Sequence, residues 1–354
     1  MVNNVVIGNR TVGNNQPPFI IAELSGNHNQ SLERALAIVD AAAQSGAHAI
    51  KLQTYTPETL TLNSHRPEFF LPNEGNPWGG QRLWDLYTQA YTPWEWHGAL
   101  FDRARSLGLA CISTAFDQTS LDFLKSIGIN AVKIASFELI HIPLLKAAAK
   151  SRKPLIVSTG MATASEISEA VNAVNSQTGL PPILLKATSA YPSTSENANL
   201  SVIPIMRENY GTLIGVSDHS MSVAVVATAV SLGACVIEKH LTLDRREGGP
   251  DASFSLEPDE FAEMVKIANE CFEALGEGQF GPRSVEDASV WERPSVWATR
   301  DIKKGEIFTT ENIRVVRPSG GLHPRHYDEL LGKRAATNIS AETALQKTTL
   351  CNGF

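Results

Sequence analysis

The sequence predicts an α/β protein, a (β/α)8 TIM barrel followed by a small β-rich domain, on three observations. Eight short apolar runs rich in β-branched residues alternate with longer segments of helical period. No GxGxxG follows the first run, which disfavours a doubly wound open sheet. The eight units occupy residues 1–276, an ordinary size for such a barrel, and the character of the chain changes after them.

In order, the runs are PFIIAEL (18–24), AHAIKLQT (47–54), ACISTAF (110–116), AVKIAS (131–136), PLIVST (154–159), ILLKATS (183–189), TLIGVSDH (212–219) and ACVIEKHL (234–241). They are apolar along their length, as strands covered on both faces are. Between them, SLERALAIVDAAAQSG and TASEISEAVNAVNSQTG place apolar residues at i, i+3 and i+4 and end in Gly, which predicts helices. The insertion at 55–96 is rich in Trp, Pro and Gly and predicts a lid or side wall over one barrel mouth. A last helix is expected over 257–276. Residues 277–290 read as a polar linker, and 291–354, with short strands around DIKKGEIFTTENI, as the small β-rich domain.

With 43% hydrophobic and 19% charged residues the composition is that of a globular protein, and a net charge of −7 argues against nucleic acid or an anionic membrane as a general partner. The first residues have no basic stretch followed by an apolar one, so no signal peptide is expected. The most apolar tract, 224–238, is interrupted by Ser231 and Gly233 and reads as a helix followed by a strand. Cys111, Cys235, Cys271 and Cys351 lack metal-like spacing and suit reduced thiols, which predicts a cytoplasmic protein.

Polar residues gather where the runs end. They are Glu23; Lys51 and Gln53; Ser113 and Thr114; Lys133 and Ser136; Ser158 and Thr159; Thr188 and Ser189; Ser217, Asp218 and His219; Glu238, Lys239 and His240. In a barrel these ends converge on one face, where active sites of this fold lie. One polar strand end is ordinarily structural, but eight in register predict an enzyme. Lys51 and Lys133 point inward, where a lysine is costly unless it meets an anion. With Thr114, Ser136, Ser158, Ser189 and Ser217 they form a cage for a phosphate or carboxylate; a salt bridge to Glu23 or Glu238, or a Schiff base, are the other readings. His219 and His240 end adjacent strands; supplemented by waters and a carboxylate, for which Asp218, Glu23 and Asp251 are the candidates, they suit Mn²⁺, or Zn²⁺ if a third protein ligand closes the site. A metal-free acid–base pair is the alternative. The loop 242–258 either turns Asp251 toward the barrel mouth or is a solvated turn ending in a helix cap.

The segments IIAELSGNHNQS, KLQTYTPETLT, STAFD, VKIASFE, STGMA, TSAYP, GVSDHS and IEKHLTLDR…GGPDASFS together resemble the sialic acid synthase (NeuB-like) family. Its members condense phosphoenolpyruvate with an acylated amino sugar. DIKKGE and NIRVVRPSGGL are similar to that family's antifreeze-like (SAF) domain, so the resemblance covers essentially the whole chain. AELSGNHNQS and LWDLYTQAYTPWEWH are most similar to the pseudaminic acid branch. LLKATSAYP, where a Cys before the Thr is frequent, and ERPSVW, where a paired Arg is frequent, depart from the pattern.

The resemblance implies phosphoenolpyruvate binding by Lys51, Thr114, Lys133, Ser136, Ser158, Ser189 and Ser217. It implies a divalent metal, Mn²⁺ or Mg²⁺, on His219 and His240, and catalytic roles for Glu23 and Asp251. Gln53, Tyr191 and the SAF-domain Arg317 match sugar-binding positions, and His28 lies in the first motif. A domain-swapped homodimer follows from the same resemblance, with that arginine reaching the partner's barrel. The implied reaction forms a C–C bond and cleaves a C–O bond to release phosphate. Its implied acceptor is 2,4-diacetamido-2,4,6-trideoxy-altrose, with N-acetylneuraminate or legionaminate synthesis as the alternatives. A metal-dependent or Schiff-base aldolase, and a binding module on an inert barrel, stand further off.

Overall fold

The computed structural model describes residues 4–73 and 77–351; residues 74–76 of the expected lid and the last three residues of the small domain lie outside them. The chain divides into two compact units, residues 1–276 and 277–354. Of the described residues, no helix is long and apolar enough to cross a membrane.

The first unit opens with a hairpin that the sequence reading did not foresee. Strands β1 (Asn4–Ile7) and β2 (Arg10–Gly13) pair antiparallel, with Ile7 opposite Arg10 and Gly8 in the left-handed conformation the tight turn requires. The run NVVIGNRTVG holds only two four-residue strands around a polar turn, too short for a period to announce a buried role. Yet Ile7 and Val12 are fully buried, packed with Phe19, Ile21, Ala110 and Val236 at one end of the barrel.

The barrel follows: β3 (Phe19–Glu23), β4 (Ala49–Thr54), β5 (Ala110–Ala115), β6 (Ala131–Ile134), β7 (Leu155–Ser158), β8 (Ile183–Ala187), β9 (Ile214–Asp218) and β10 (Val236–His240). All eight pair in parallel in chain order, and β10 closes on β3. Each expected run holds one strand, although Ser136, Thr159, Thr188, Ser189 and His219 lie just past the strand ends. The helices are α1 (Leu32–Gln44), α2 (Pro57–Leu60), α3 (Leu83–Ala90), α4 (His97–Ser106), α5 (Gln118–Ser126), α6 (Ile142–Ala149), α7 (Ala164–Thr178), α8 (Val202–Tyr210), α9 (Val223–Ser231) and α10 (Pro258–Leu275). Residues of the insertion form α2 and α3, and α3 lies against the loop after β3.

Side chains alternate across a strand, so every second residue faces the barrel interior. That row reads Phe19, Ile21, Glu23 on β3, Ala49, Lys51, Gln53 on β4 and Val236, Glu238, His240 on β10. The lower members belong to the apolar cluster under the hairpin, and the upper ones are polar. The other row, such as Ile20, Ile50, Leu52 and Ile237, packs outward beneath the helices.

The second unit has its own apolar core around Val296, Phe308, Ile313, Leu330 and Leu345. β11 (Ser295–Ala298) and β12 (Ile313–Val316) pair antiparallel, and isolated bridges such as Ile302 to Ile339 supply most of the rest. Residues 277–290, read as a linker, contain a single turn of 3-10 helix and the short helix α11 (Asp287–Val290).

Because Ile7 fills space at the barrel floor, Ile7→Ala is expected to cost about 2–5 kcal/mol of unfolding free energy. Urea denaturation followed by far-UV circular dichroism measures it, and a wild-type midpoint would contradict the packing described.

Candidate active site

The polar rows converge on a cavity of about 620 Å³ lined by residues of the barrel strands, α3 and the loop after β10. At its base lies a chain of four buried charges. Lys51 Nζ is 2.8 Å from Glu23 Oε2 and 3.0 Å from Glu238 Oε1, while Lys133 Nζ is 3.1 Å from Glu238 Oε2. Ser217 Oγ donates to Glu238 Oε1 at 2.9 Å, and Lys51 Nζ to Thr114 Oγ1 at 3.4 Å. The salt-bridge reading of the two lysines therefore describes this structure, and their ammonium groups also border the cavity.

The electrostatics follow from who neighbours whom. Burial works against charge on both lysines. Lys51 has two carboxylates, which outweigh burial and raise its pKa. Lys133 has only Glu238 close by, feels the like charge of Lys51, and is brought down to about 8. Burial opposes charge on Glu238 too, but the two lysines outweigh it and its pKa falls. Glu23 is raised, because burial and the charge of Glu238 outweigh Lys51.

Above this chain sit the serines. A Cβ on Gly160 would lie 2.3 Å from Ser189 Oγ and 2.8 Å from Ser136 Oγ, so the missing side chain at residue 160 keeps a small cradle open. The Gly160 amide donates to Ser136 Oγ at 3.1 Å, and Ser158 Oγ is buried with no partner. Glu138, on the turn after β6, also lines the cavity; its Oε2 has no partner, and burial raises its carboxyl to about 7.

His219 and His240 lie with ring centroids 5.3 Å apart. The Thr188 carbonyl is 2.9 Å from His219 Nδ1, which leaves the other nitrogen of that ring for a ligand, while His240 Nδ1 is buried without a partner. Burial holds both rings neutral, His219 at about 4 and His240 well below its ordinary value. Among the described residues no group of three His, Cys, Asp or Glu could hold a metal ion. The pair thus fits an ion that completes its shell with water or substrate oxygen, as Mn²⁺ or Mg²⁺ does, and not a closed tetrahedral zinc site. Asp218, a candidate third ligand, is taken up by Lys239 Nζ at 2.5 Å and the Ser220 amide at 2.9 Å.

Asp251 is 9% exposed and burial raises its pKa, so the solvated-turn reading of its loop is corrected. Trp78 Nε1 donates to the Pro250 carbonyl at 2.7 Å, and Ser255 Oγ to that of Asp251 at 2.7 Å. Gln53 Nε2 donates to Glu23 Oε1 at 3.2 Å. Tyr191 packs its ring 4.5 Å from that of His219, and burial lifts its hydroxyl to about 12. His28 is outside the cavity lining, fully buried, with its ring 5.5 Å from Trp96. Arg317, in the second unit, is exposed, with Nη1 3.1 Å from Glu292 Oε2.

Sequence alone places Glu238 among the polar strand ends and as a salt-bridge partner for the lysines but assigns it no binding or catalytic role, and it assigns none to Glu138 or Gly160. Glu238 carried a usable signal, since it shares the inward row of β10 with His240. The other two lie inside VKIASFE and STGMA, but nothing in those segments assigns either of them a role.

The NeuB family model matches residues 38–280 and the SAF domain model residues 293–350. The chain is 44% identical over 333 residues to a pseudaminic acid synthase of Campylobacter jejuni, covering 93% of this chain and 96% of that one. It is 34% identical over 348 residues to an N,N'-diacetyllegionaminic acid synthase of Legionella pneumophila, covering 97% of each. The crystal structure of an N-acetylneuraminic acid synthetase from Leptospira borgpetersenii in complex with citrate superposes with a TM-score of 0.73 at 35% identity, over 81% of this chain and 95% of that one.

Lys133 gives up its proton near pH 8 in the native protein and near 10.5 when unfolded. Between those values the unfolded chain binds more protons, so this residue makes stability rise with pH across the window. In Lys133→Met that rising contribution should be absent, read as the change in urea midpoint between about pH 8 and about pH 10.

Proposed function

The chain belongs to the NeuB family, and from that premise we propose that it joins phosphoenolpyruvate to 2,4-diacetamido-2,4,6-trideoxy-altrose, forming pseudaminic acid and releasing phosphate. One observation carries the reading. A single cavity holds two lysines, a serine cradle kept open by Gly160, and buried polar atoms of Ser158, Glu138 and His240 that have no protein partner.

Lys51 and Lys133, with Thr114, Ser136, Ser158, Ser189 and Ser217, bind the carboxylate and phosphate of phosphoenolpyruvate. Gln53 and Tyr191 hold the sugar. The methylene carbon of phosphoenolpyruvate attacks the open-chain aldehyde, forming the new C–C bond, and Asp251 supplies the proton that the former carbonyl oxygen takes up. Glu23 removes a proton from the water that adds at the phosphate-bearing carbon. The new hydroxyl then gives its proton to the departing phosphate as the C–O bond to phosphate breaks, leaving the ketone. Lys51 and Lys133 balance the anionic charge throughout, fixed in place before the reaction begins. His219 and His240 would hold Mn²⁺ or Mg²⁺, which when bound supplies Lewis-acid polarisation. The same reading includes a domain-swapped homodimer in which Arg317 meets the sugar bound by the partner, and a cytoplasmic location in keeping with four free cysteines.

Phosphate release with Mn²⁺ tests the activity against three acceptors: the altrose sugar, its 2,4-diacetamido-trideoxy mannose isomer, and N-acetylmannosamine. Turnover with the altrose sugar alone is expected. Turnover with another acceptor corrects the branch, and none at all in folded, metal-loaded protein overturns the reading. Gly160→Ala should raise KM for phosphoenolpyruvate about tenfold or more with the fold retained, because its methyl occupies the cradle.

A further inference from the structure

Ser25 follows β3 and combines two features that rarely occur together. Its backbone is left-handed, with φ at 50°, a conformation that suits glycine and strains a residue with a Cβ. Its side chain is 1% exposed and makes directed polar contacts inside the site. If this position served only to turn the chain out of the strand, glycine would do so without strain. Non-glycine residues persist in such conformations where the surroundings, or a function, demand the side chain.

The contacts say what the side chain does. Ser25 Oγ donates to Asp251 Oδ2 and accepts from Gln53 Nε2 at 3.2 Å. The Ser25 amide donates to Glu23 Oε1 at 3.0 Å, and Gln53 Nε2 reaches that same oxygen at 3.2 Å. One residue thus ties the two carboxylates that divide the proton transfers. Asp251 belongs to a distant loop with no strand pairing of its own, so its carboxylate needs an anchor from elsewhere. The left-handed turn also seats the next residue closely: a Cβ on Gly26 would be 3.2 Å from Ala90 Cα and 3.2 Å from Pro250 Cγ. The backbone is committed to this path, and the hydroxyl is what position 25 adds.

We infer that Ser25 is a positioning residue, whose hydroxyl fixes the Asp251 carboxylate relative to Glu23 and Gln53 at the strained start of the loop after β3. The inference rests on the reaction proposed above for the roles of Asp251 and Glu23. Facing Asp251 are the Ser25 hydroxyl, the Gly26 amide, and the phenols Tyr55 and Tyr191, both pushed toward the neutral form by burial. Loss of the hydroxyl removes one hydrogen bond to the carboxylate form, so the Asp251 pKa moves up.

Ser25→Gly separates this role from a structural one, because glycine relieves the backbone while deleting the hydroxyl. The variant is expected to melt at or above the wild-type temperature. Its kcat should fall about tenfold or more with KM for phosphoenolpyruvate little changed, and the limb of the pH profile set by Asp251 should move to higher pH. Ser25→Ala should lose the same activity at a lower melting temperature, and it carries the test if the glycine variant does not fold. Wild-type kcat and pH profile in a folded variant would overturn the inference. Should the wild-type protein itself release no phosphate, the reaction reading fails, and the anchoring is decided without turnover. The Asp251 carboxyl is then titrated by ¹³C NMR, assigned with Asp251→Asn: an upward shift in Ser25→Gly sustains it and an unmoved titration overturns it.

Discussion

The carboxylate of Glu238 is shared by two lysines, and the interior of the barrel is organised around that sharing. Lys51 and Lys133 come from different strands and would repel each other in a low-dielectric space. Glu238 lies close to both, and Glu23 supplies the second negative charge beside Lys51. Two positive and two negative groups then occupy one layer with no formal excess. Isolated, any of them would shed its charge or destabilise the barrel. Together they keep charged groups at the floor of a cavity that a substrate anion can enter.

Strand alternation decides which residues meet in that layer. The eight strands, their order, and the convergence of their polar ends were legible in the sequence, because the apolar runs are well separated and bounded by helical segments ending in glycine. The roles of Lys51 and Lys133 stayed divided between anion cage and salt bridge, since a one-dimensional pattern gives no distance between β4, β6 and β10. The pairing with Glu238 needed the closed register. Glu138 and Gly160 depend on loops after β6 and β7, where no period links sequence to direction. The hairpin at the start of the chain was missed because its two strands, four residues each, are too short to show a period and carry no chemistry.

The loops after β3 and β10 supply what rigid strands cannot. Asn27 Nδ2 donates to the Leu241 carbonyl at 2.9 Å and to Ser255 Oγ at 2.8 Å, fastening the two loops to each other. The acid–base groups therefore sit on different footings: Glu23 on a strand, Asp251 on a turn held by hydrogen bonds. The two imidazoles differ in the same way, with His240 ending β10 and His219 just beyond β9. Precision at this site is shared between the sheet and a few buried polar contacts.

The hairpin of β1 and β2 has a kinetic meaning as well as a structural one. Its buried Ile7 and Val12 extend the packed layer of Phe19, Ile21, Ile156, Leu185 and Val236 at one end of the barrel, so the cavity is approached from the opposite end. A vessel with one opening fills and empties in sequence. In the reaction proposed above, an anion held against the lysines and the serine cradle would enter ahead of a co-substrate bound nearer the rim, and would leave only when the way above it is clear.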